Sequence, residues 1–212
     1  MSYIKIPNKI EDESFVIIDR IIKEERPDYK FKNEIEEKII KRAIHTSADF
    51  EYLNILKISN DAVQKITKAL KNEAIIYTDT NMALSGINKR KLKELNCEIR
   101  CYVSEEETAK MAKEKGITRS MASVLRASEE DKDKDKIFVV GNAPTALYRI
   151  MELEAENKLK PACIIGVPVG FVGAAESKTK LYESNLDYIV SLGRKGGSNI
   201  AASIVNAILY SL

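Results

Sequence analysis

Lys136-Ile137-Phe138-Val139-Val140-Gly141-Asn142-Ala143-Pro144-Thr145-Ala146-Leu147 joins an unbroken apolar run to a glycine and then to a proline placed where a first helical residue would stand. A short apolar run without alternation suits a strand covered on both faces, as in a parallel sheet. Gly141 permits a tight turn, and Pro144 lacks only an N–H that a helix start leaves unpaired anyway. The stretch therefore predicts strand, turn and helix in succession. Residues 74–78, 98–103, 163–167 and 188–192 are further short apolar runs, separated by segments of helical period at 84–95, 105–115, 118–128, 144–158, 171–184 and 197–210. Such alternation predicts an α/β fold: a three-layer open sheet, mainly parallel, of about five strands with helices on both faces.

Upstream of these runs the pattern is helical. Ile17, Ile18, Ile21 and Ile22 follow Glu11, Asp12 and Glu13 over residues 10–25, and acids favour the positive end of a helix dipole. Ile35, Ile39, Ile40 and Ile44 repeat the spacing over 33–45 with Asn33 as N-cap, and a third helix is expected from the cap Ser59 to Lys71.

The 212 residues suit one domain spanning 1–212, since about 100–200 residues make a domain. Hydrophobic residues at 44% against 31% charged can bury a core, which excludes wholesale disorder. A formal net charge of +2 is too balanced for a nucleic-acid or membrane-surface binder, so an anion site must come from local clustering. Cys97, Cys101 and Cys163 form no C-x-x-C pair and have no neighbouring histidine, so neither a disulfide framework nor a metal site is expected, and reduced thiols fit a cytoplasmic location. The N-terminal residues turn acidic too early for a secretory signal, and the apolar stretch 162–175 is too short and too glycine-rich to span a membrane. The charged run 129–136 reads as a solvated loop.

Ligands of open α/β sheets bind beyond the carboxyl ends of the strands, which directs attention to the turns there. Thr78-Asp79-Thr80-Asn81-Met82 is dense in small polar side chains. Gly166-Val167-Pro168-Val169-Gly170-Phe171-Val172-Gly173 is glycine-rich but lacks the G-x-G-x-x-G order of a dinucleotide site. Gly193-Arg194-Lys195-Gly196-Gly197-Ser198 opens the last helix with flexible backbone and two cations, although the P-loop order is absent, and anion binding and plain capping are both open there. His45, the single histidine, ends its predicted helix, where the dipole favours imidazolium; it reads either as a general acid or as a capping side chain. From position alone Ser14 and Phe15 read as a polar first turn with a core phenylalanine rather than as a site, and Thr118-Arg119-Ser120 as a capped, solvated helix start rather than a ligand clamp.

Taken together, these segments resemble the precorrin-8X methylmutase family, also called precorrin isomerases. The resemblance rests on Ile10-Glu11-Asp12-Glu13-Ser14-Phe15, on Arg42-Ala43-Ile44-His45-Thr46-Ser47-Ala48-Asp49-Phe50, on Thr78–Met82, on Thr118–Ser120, on Gly141–Leu147, on Gly166–Val172 and on Gly193–Ser198. It implies a cofactor-free isomerase of cobalamin biosynthesis that moves a methyl group from C-11 to C-12 of precorrin-8X or cobalt-precorrin-8, giving hydrogenobyrinate or cobyrinate. A sigmatropic shift of this kind needs a held conformation and a placed proton, not a nucleophile or a metal ligand from the protein. The resemblance places the family's active-site histidine on His45 and implies a homodimer whose two subunits line the site. The substrate's peripheral carboxylates would then fall to Arg42, Lys89, Arg119, Arg194 and Lys195, to the polar side chains Ser14, Thr80, Ser120, Asn142 and Ser198, and to helix N-termini at Ala143 and Gly197. Two other readings stay open: a tetrapyrrole-binding protein without catalysis, and a phosphate-ligand α/β enzyme using residues 193–199.

Overall fold

The computed structural model describes residues 5–59 and 61–212. In chain order the elements are α1 (Pro7–Glu25), α2 (Glu34–Ser47), α3 (Tyr52–Ile55), β1 (Leu56–Ile58), α4 (Ala62–Lys71), β2 (Ile75–Thr78), α5 (Asn81–Gly86), α6 (Lys89–Glu94) and β3 (Glu98–Arg100). They continue with α7 (Glu106–Lys115), α8 (Arg119–Glu129), β4 (Lys136–Val140), α9 (Pro144–Ala155), β5 (Pro161–Gly166), α10 (Ala174–Tyr182), β6 (Tyr188–Ser191) and α11 (Ser198–Leu209).

The six strands form one sheet in the order β1-β6-β5-β4-β2-β3. Every pairing is parallel except β1 with β6, which is antiparallel at the edge. The chain builds outward from β2 to β3 and then returns to lay β4 on the other side of β2. That reversal is a topological switch point, and the turns after β2 and β4 flank the crevice it opens.

The lack of alternation in the strands has the predicted cause, because both faces are covered. Along β4, Ile137 and Val139 pack with α2, α4 and α11, while Phe138 and Val140 pack with α8 and α9. In β2, Ile76 faces the first layer and Ile75 and Tyr77 the second. Truncating any of these core side chains to Ala should cost about 2–5 kcal/mol. The last helix, rich in Ala and Ile, is buried along most of its length between α2, α5 and the sheet.

The α/β expectation holds, with a mostly parallel sheet, but one strand was not foreseen. Leu56-Lys57-Ile58 is too short to display a period, and only its pairing with Ser191, Val190 and Ile189 makes it a strand. The helix expected over 84–95 is two helices, α5 and α6, broken at Ile87-Asn88, where Asn88 caps the second by accepting from the Lys91 N–H at 3.1 Å. Ser59 does not cap α4, whose N-cap is Asp61; its hydroxyl instead accepts from the Tyr188 N–H at 3.1 Å and so ties down the sheet edge.

Candidate active site at the carboxyl edge

The turn after β2 is held by a residue the sequence reading left without a role. Asp79 is buried, and its Oδ1 accepts from the Gly141 N–H at 2.8 Å while Oδ2 accepts from Asn142 at 2.8 Å and Ala143 at 2.7 Å. Burial pushes this carboxyl up from its ordinary range, and the three N–H groups pull the other way by stabilising the anion. The N-cap of α9 is Ala143, which has no capping side chain, so Asp79 supplies across space the acceptor that the local sequence lacks. The N-terminus of α9, expected to hold a substrate carboxylate, is therefore occupied by one from the chain itself.

Next to it, Thr80 caps α5 by accepting from the Ala83 N–H at 3.1 Å, and its Oγ1 lies 2.7 Å from the Ser198 hydroxyl. A side chain at Gly141 would place its Cβ 2.7 Å from Ser198 Cα, so this glycine is what lets the turn after β4 touch the start of α11. The Gly197 N–H donates to the Val167 carbonyl at 2.8 Å, and the Gly170 N–H to that of Arg194 at 3.1 Å. Thr118 meets Thr145 hydroxyl to hydroxyl at 3.0 Å, drawing Arg119 and Ser120 to the same edge. Thr80, Arg119, Ser120, Asn142, Arg194 and Ser198 thus converge along the carboxyl edge, from segments scattered over the chain.

A second group sits on α1 and α2. His45 is exposed and stacks on Phe15, with ring centroids 5.2 Å apart and planes 19° apart. The Arg42 guanidinium lies over the same ring at 4.9 Å and pairs with Glu11 at 2.6 Å. Ser14 donates to the Ile10 carbonyl of its own helix at 2.7 Å. The two groups are bridged by Lys195, whose ammonium pairs with Asp49, just beyond α2, and with Glu51 at 2.6 Å. Those hydrogen bonds push the Lys195 pKa up. Lys89 donates to the Leu84 carbonyl at 3.0 Å, and neighbouring Asn88 accompanies Asn206 and Tyr210 toward the far end of α11 from Ser198.

The cations therefore differ in availability. Arg42 and Lys195 already hold carboxylates of the chain, and Lys89 holds a carbonyl. Arg119 and Arg194 are exposed and pair with no carboxylate among the described residues; Arg194 leans over the Phe171 ring at 5.8 Å. Met82, Phe171 and Val172 are exposed nearby in sequence, the last two at 86% and 91%, an apolar rim beside the polar turns. The described residues contain no group of three or more His, Cys, Asp and Glu that could hold a metal ion.

Fold and site together define an open α/β protein whose polar turns meet at a switch point, next to an exposed histidine and two exposed arginines. The model of the precorrin-8X methylmutase family matches residues 9–211, and the chain belongs to that family. It is 54% identical to the cobalt-precorrin-8 methylmutase of Salmonella typhimurium over 212 residues, covering 100% of this chain and 99% of that one. The precorrin-8X methylmutase of a Sinorhizobium species is 35% identical over 97% of this chain and 95% of its own. Among solved structures, the precorrin-8X methylmutase of Thermus thermophilus superposes with a TM-score of 0.82 at 33% identity, covering 95% of this chain and 96% of that one.

Proposed function

We propose that this chain is an isomerase of cobalamin biosynthesis that moves a methyl group from C-11 to C-12 of cobalt-precorrin-8 or metal-free precorrin-8X, giving cobyrinate or hydrogenobyrinate. The observation that carries this reading is the full-length match at 54% identity to a cobalt-precorrin-8 methylmutase, inside a family match over residues 9–211. Neither a non-catalytic tetrapyrrole binder nor a phosphate-ligand enzyme is favoured by these relatives.

In this reading the C-11 to methyl bond breaks as the C-12 to methyl bond forms, and the electrons stay within the conjugated ring. The task left to the protein is to hold the macrocycle and to place a proton. His45, at the exposed end of α2 with its ring steadied by Phe15, is the proton donor. Arg119 and Arg194, which no carboxylate among the described residues engages, hold peripheral carboxylates of the substrate, with Thr80, Asn142, Ser120 and Ser198 as hydrogen-bonding partners along the edge. The apolar rim of Met82, Phe171 and Val172 supports two further parts of the proposal, contact with the ring and association into a homodimer that walls the site from both sides. Three free cysteines support a cytoplasmic setting, and no helix among the described residues is long and apolar enough to cross a membrane.

The test is to mix the purified protein anaerobically with metal-free and with cobalt-loaded substrate and to follow the visible spectrum. Removing the methyl from C-11 changes the conjugated path, so turnover is read as a colour change. A spectrum unchanged with both substrates sinks the reading.

A further inference from the structure

Lys178, on α10, is fully buried, yet no carboxylate among the described residues pairs with it. Its Nζ donates at 2.7 Å to the main-chain carbonyl of Lys195, in the turn between β6 and α11. The hydroxyl of Ser191, also fully buried, donates to that same carbonyl at 2.8 Å. Two buried donors aimed at one carbonyl oxygen fix the plane of the Lys195–Gly196 peptide. No peptide bond of the described chain is cis, so the N–H of Gly196 lies in that plane and points opposite to the anchored carbonyl, across the C–N bond. It points away from Lys178, and it donates to no acceptor among the described residues.

The turn is built to keep this orientation. A Cβ on Gly196 would lie 2.1 Å from the Val167 carbonyl oxygen, so no side chain fits there, and Gly197 follows with a φ of 131°. Flanking this peptide in the chain are the exposed Arg194 and the first turn of α11, which has neither a capping side chain nor an acidic residue. The N-terminus of α9, by contrast, is filled by Asp79. An ammonium in the interior is costly, and burial alone pushes that of Lys178 down to about 8. A neutral donor could bond the carbonyl equally well in geometry, so a charge retained there has its use in strengthening the bond and in adding positive potential under the turn.

We propose that Lys178 is a positioning residue: it holds the Lys195 carbonyl from inside, so that the Gly196 N–H faces outward and donates to a peripheral carboxylate of the tetrapyrrole beside Arg194. This rests on the tetrapyrrole reading of the site. Because Lys178 touches the substrate only through the peptide it orients, losing it weakens binding and leaves the chemical step intact.

The experiment measures KM and kcat for Lys178→Met and Lys178→Gln, and follows the Gly196 amide resonance of the ¹⁵N-labelled wild-type protein as cobyrinate is added. Lys178→Met should raise KM about tenfold with kcat within about twofold of wild type, the signature of lost uniform binding. Lys178→Gln, which keeps an N–H donor, should recover part of that loss. The Gly196 resonance should move as cobyrinate saturates the protein. An unchanged KM in a folded variant overturns the proposal, as does a fall in kcat alone. If the methionine variant fails to fold, the glutamine variant and the wild-type resonance decide, and a Gly196 signal unmoved at saturation is a refutation. Wild-type protein that converts neither tetrapyrrole refutes the proposed function; active wild type with an unmoved Gly196 refutes this inference alone.

Discussion

His45 has few structural duties to lose. It is exposed, its ring makes no hydrogen bond among the described residues, and its stacking on Phe15 is of a kind worth about 0.5–1.5 kcal/mol. His45→Ala should therefore keep its fold while losing about 10²–10⁴-fold in turnover, the usual contribution of a general acid. Turnover and thermal unfolding measured on the same variant separate the roles, and a near-normal rate at saturating substrate removes His45 from the mechanism. The cations are graded by their partners. Replacing Arg119 or Arg194 with Gln should weaken substrate binding by on the order of 1.5–3 kcal/mol each, as expected for a lost charge-assisted bond. Lys195→Met should weaken it less, because Asp49 and Glu51 already share that ammonium. A Lys195 variant that binds as poorly as the Arg119 variant would contradict this grading.

At the scale of elements, the buried side chains of Asp79 and Lys178 each tie together separate elements. Asp79→Ala strips the acceptor from three N–H groups at the start of α9 and should cost on the order of 1–3 kcal/mol. The loss is read as a lower denaturation midpoint with an unchanged m-value. Lys178 predicts a pH dependence. In the unfolded chain its ammonium titrates near its ordinary value of 10.5, whereas in the fold burial brings it down to about 8. Below about 8 both states hold the proton and the cost of burying the charge is fully present; between about 8 and 10.5 the unfolded chain binds more protons, so stability rises with pH. Denaturation of wild type and Lys178→Met across this window should show a rise in wild type that the variant lacks, and parallel curves would remove Lys178 as its source.

For the whole molecule, the expected outcome in sedimentation is a homodimer. Phe171 and Val172 stand almost fully in solvent beside the polar turns, and a large apolar ligand at an open edge needs a second wall. Val172→Asp should shift the population toward monomer and lower activity with it. A monomer that keeps full activity at high dilution would end the shared-site idea.

Local pattern determined much of this protein. Unbroken apolar runs showed that strands such as Lys136–Val140 are covered on both faces, and the turns after them carried the motifs by which the family can be read from the chain alone. These features depend on neighbours a few residues away, where backbone geometry and hydrophobic period act. Tertiary structure decided what depends on distant partners. Leu56–Ile58 became a strand only because β6 offered an edge, and Ser59 turned from a helix cap to the sheet for the same reason. Asp79 meets Gly141 across 62 positions, and Lys195 meets Asp49 across 146, so no spacing rule could pair them. Lys178 stands among polar neighbours in sequence, yet it is fully buried. Burial and pairing of charge are set by which elements pack together, and that packing separated the cations already held by the chain from Arg119 and Arg194, which pair with no carboxylate among the described residues.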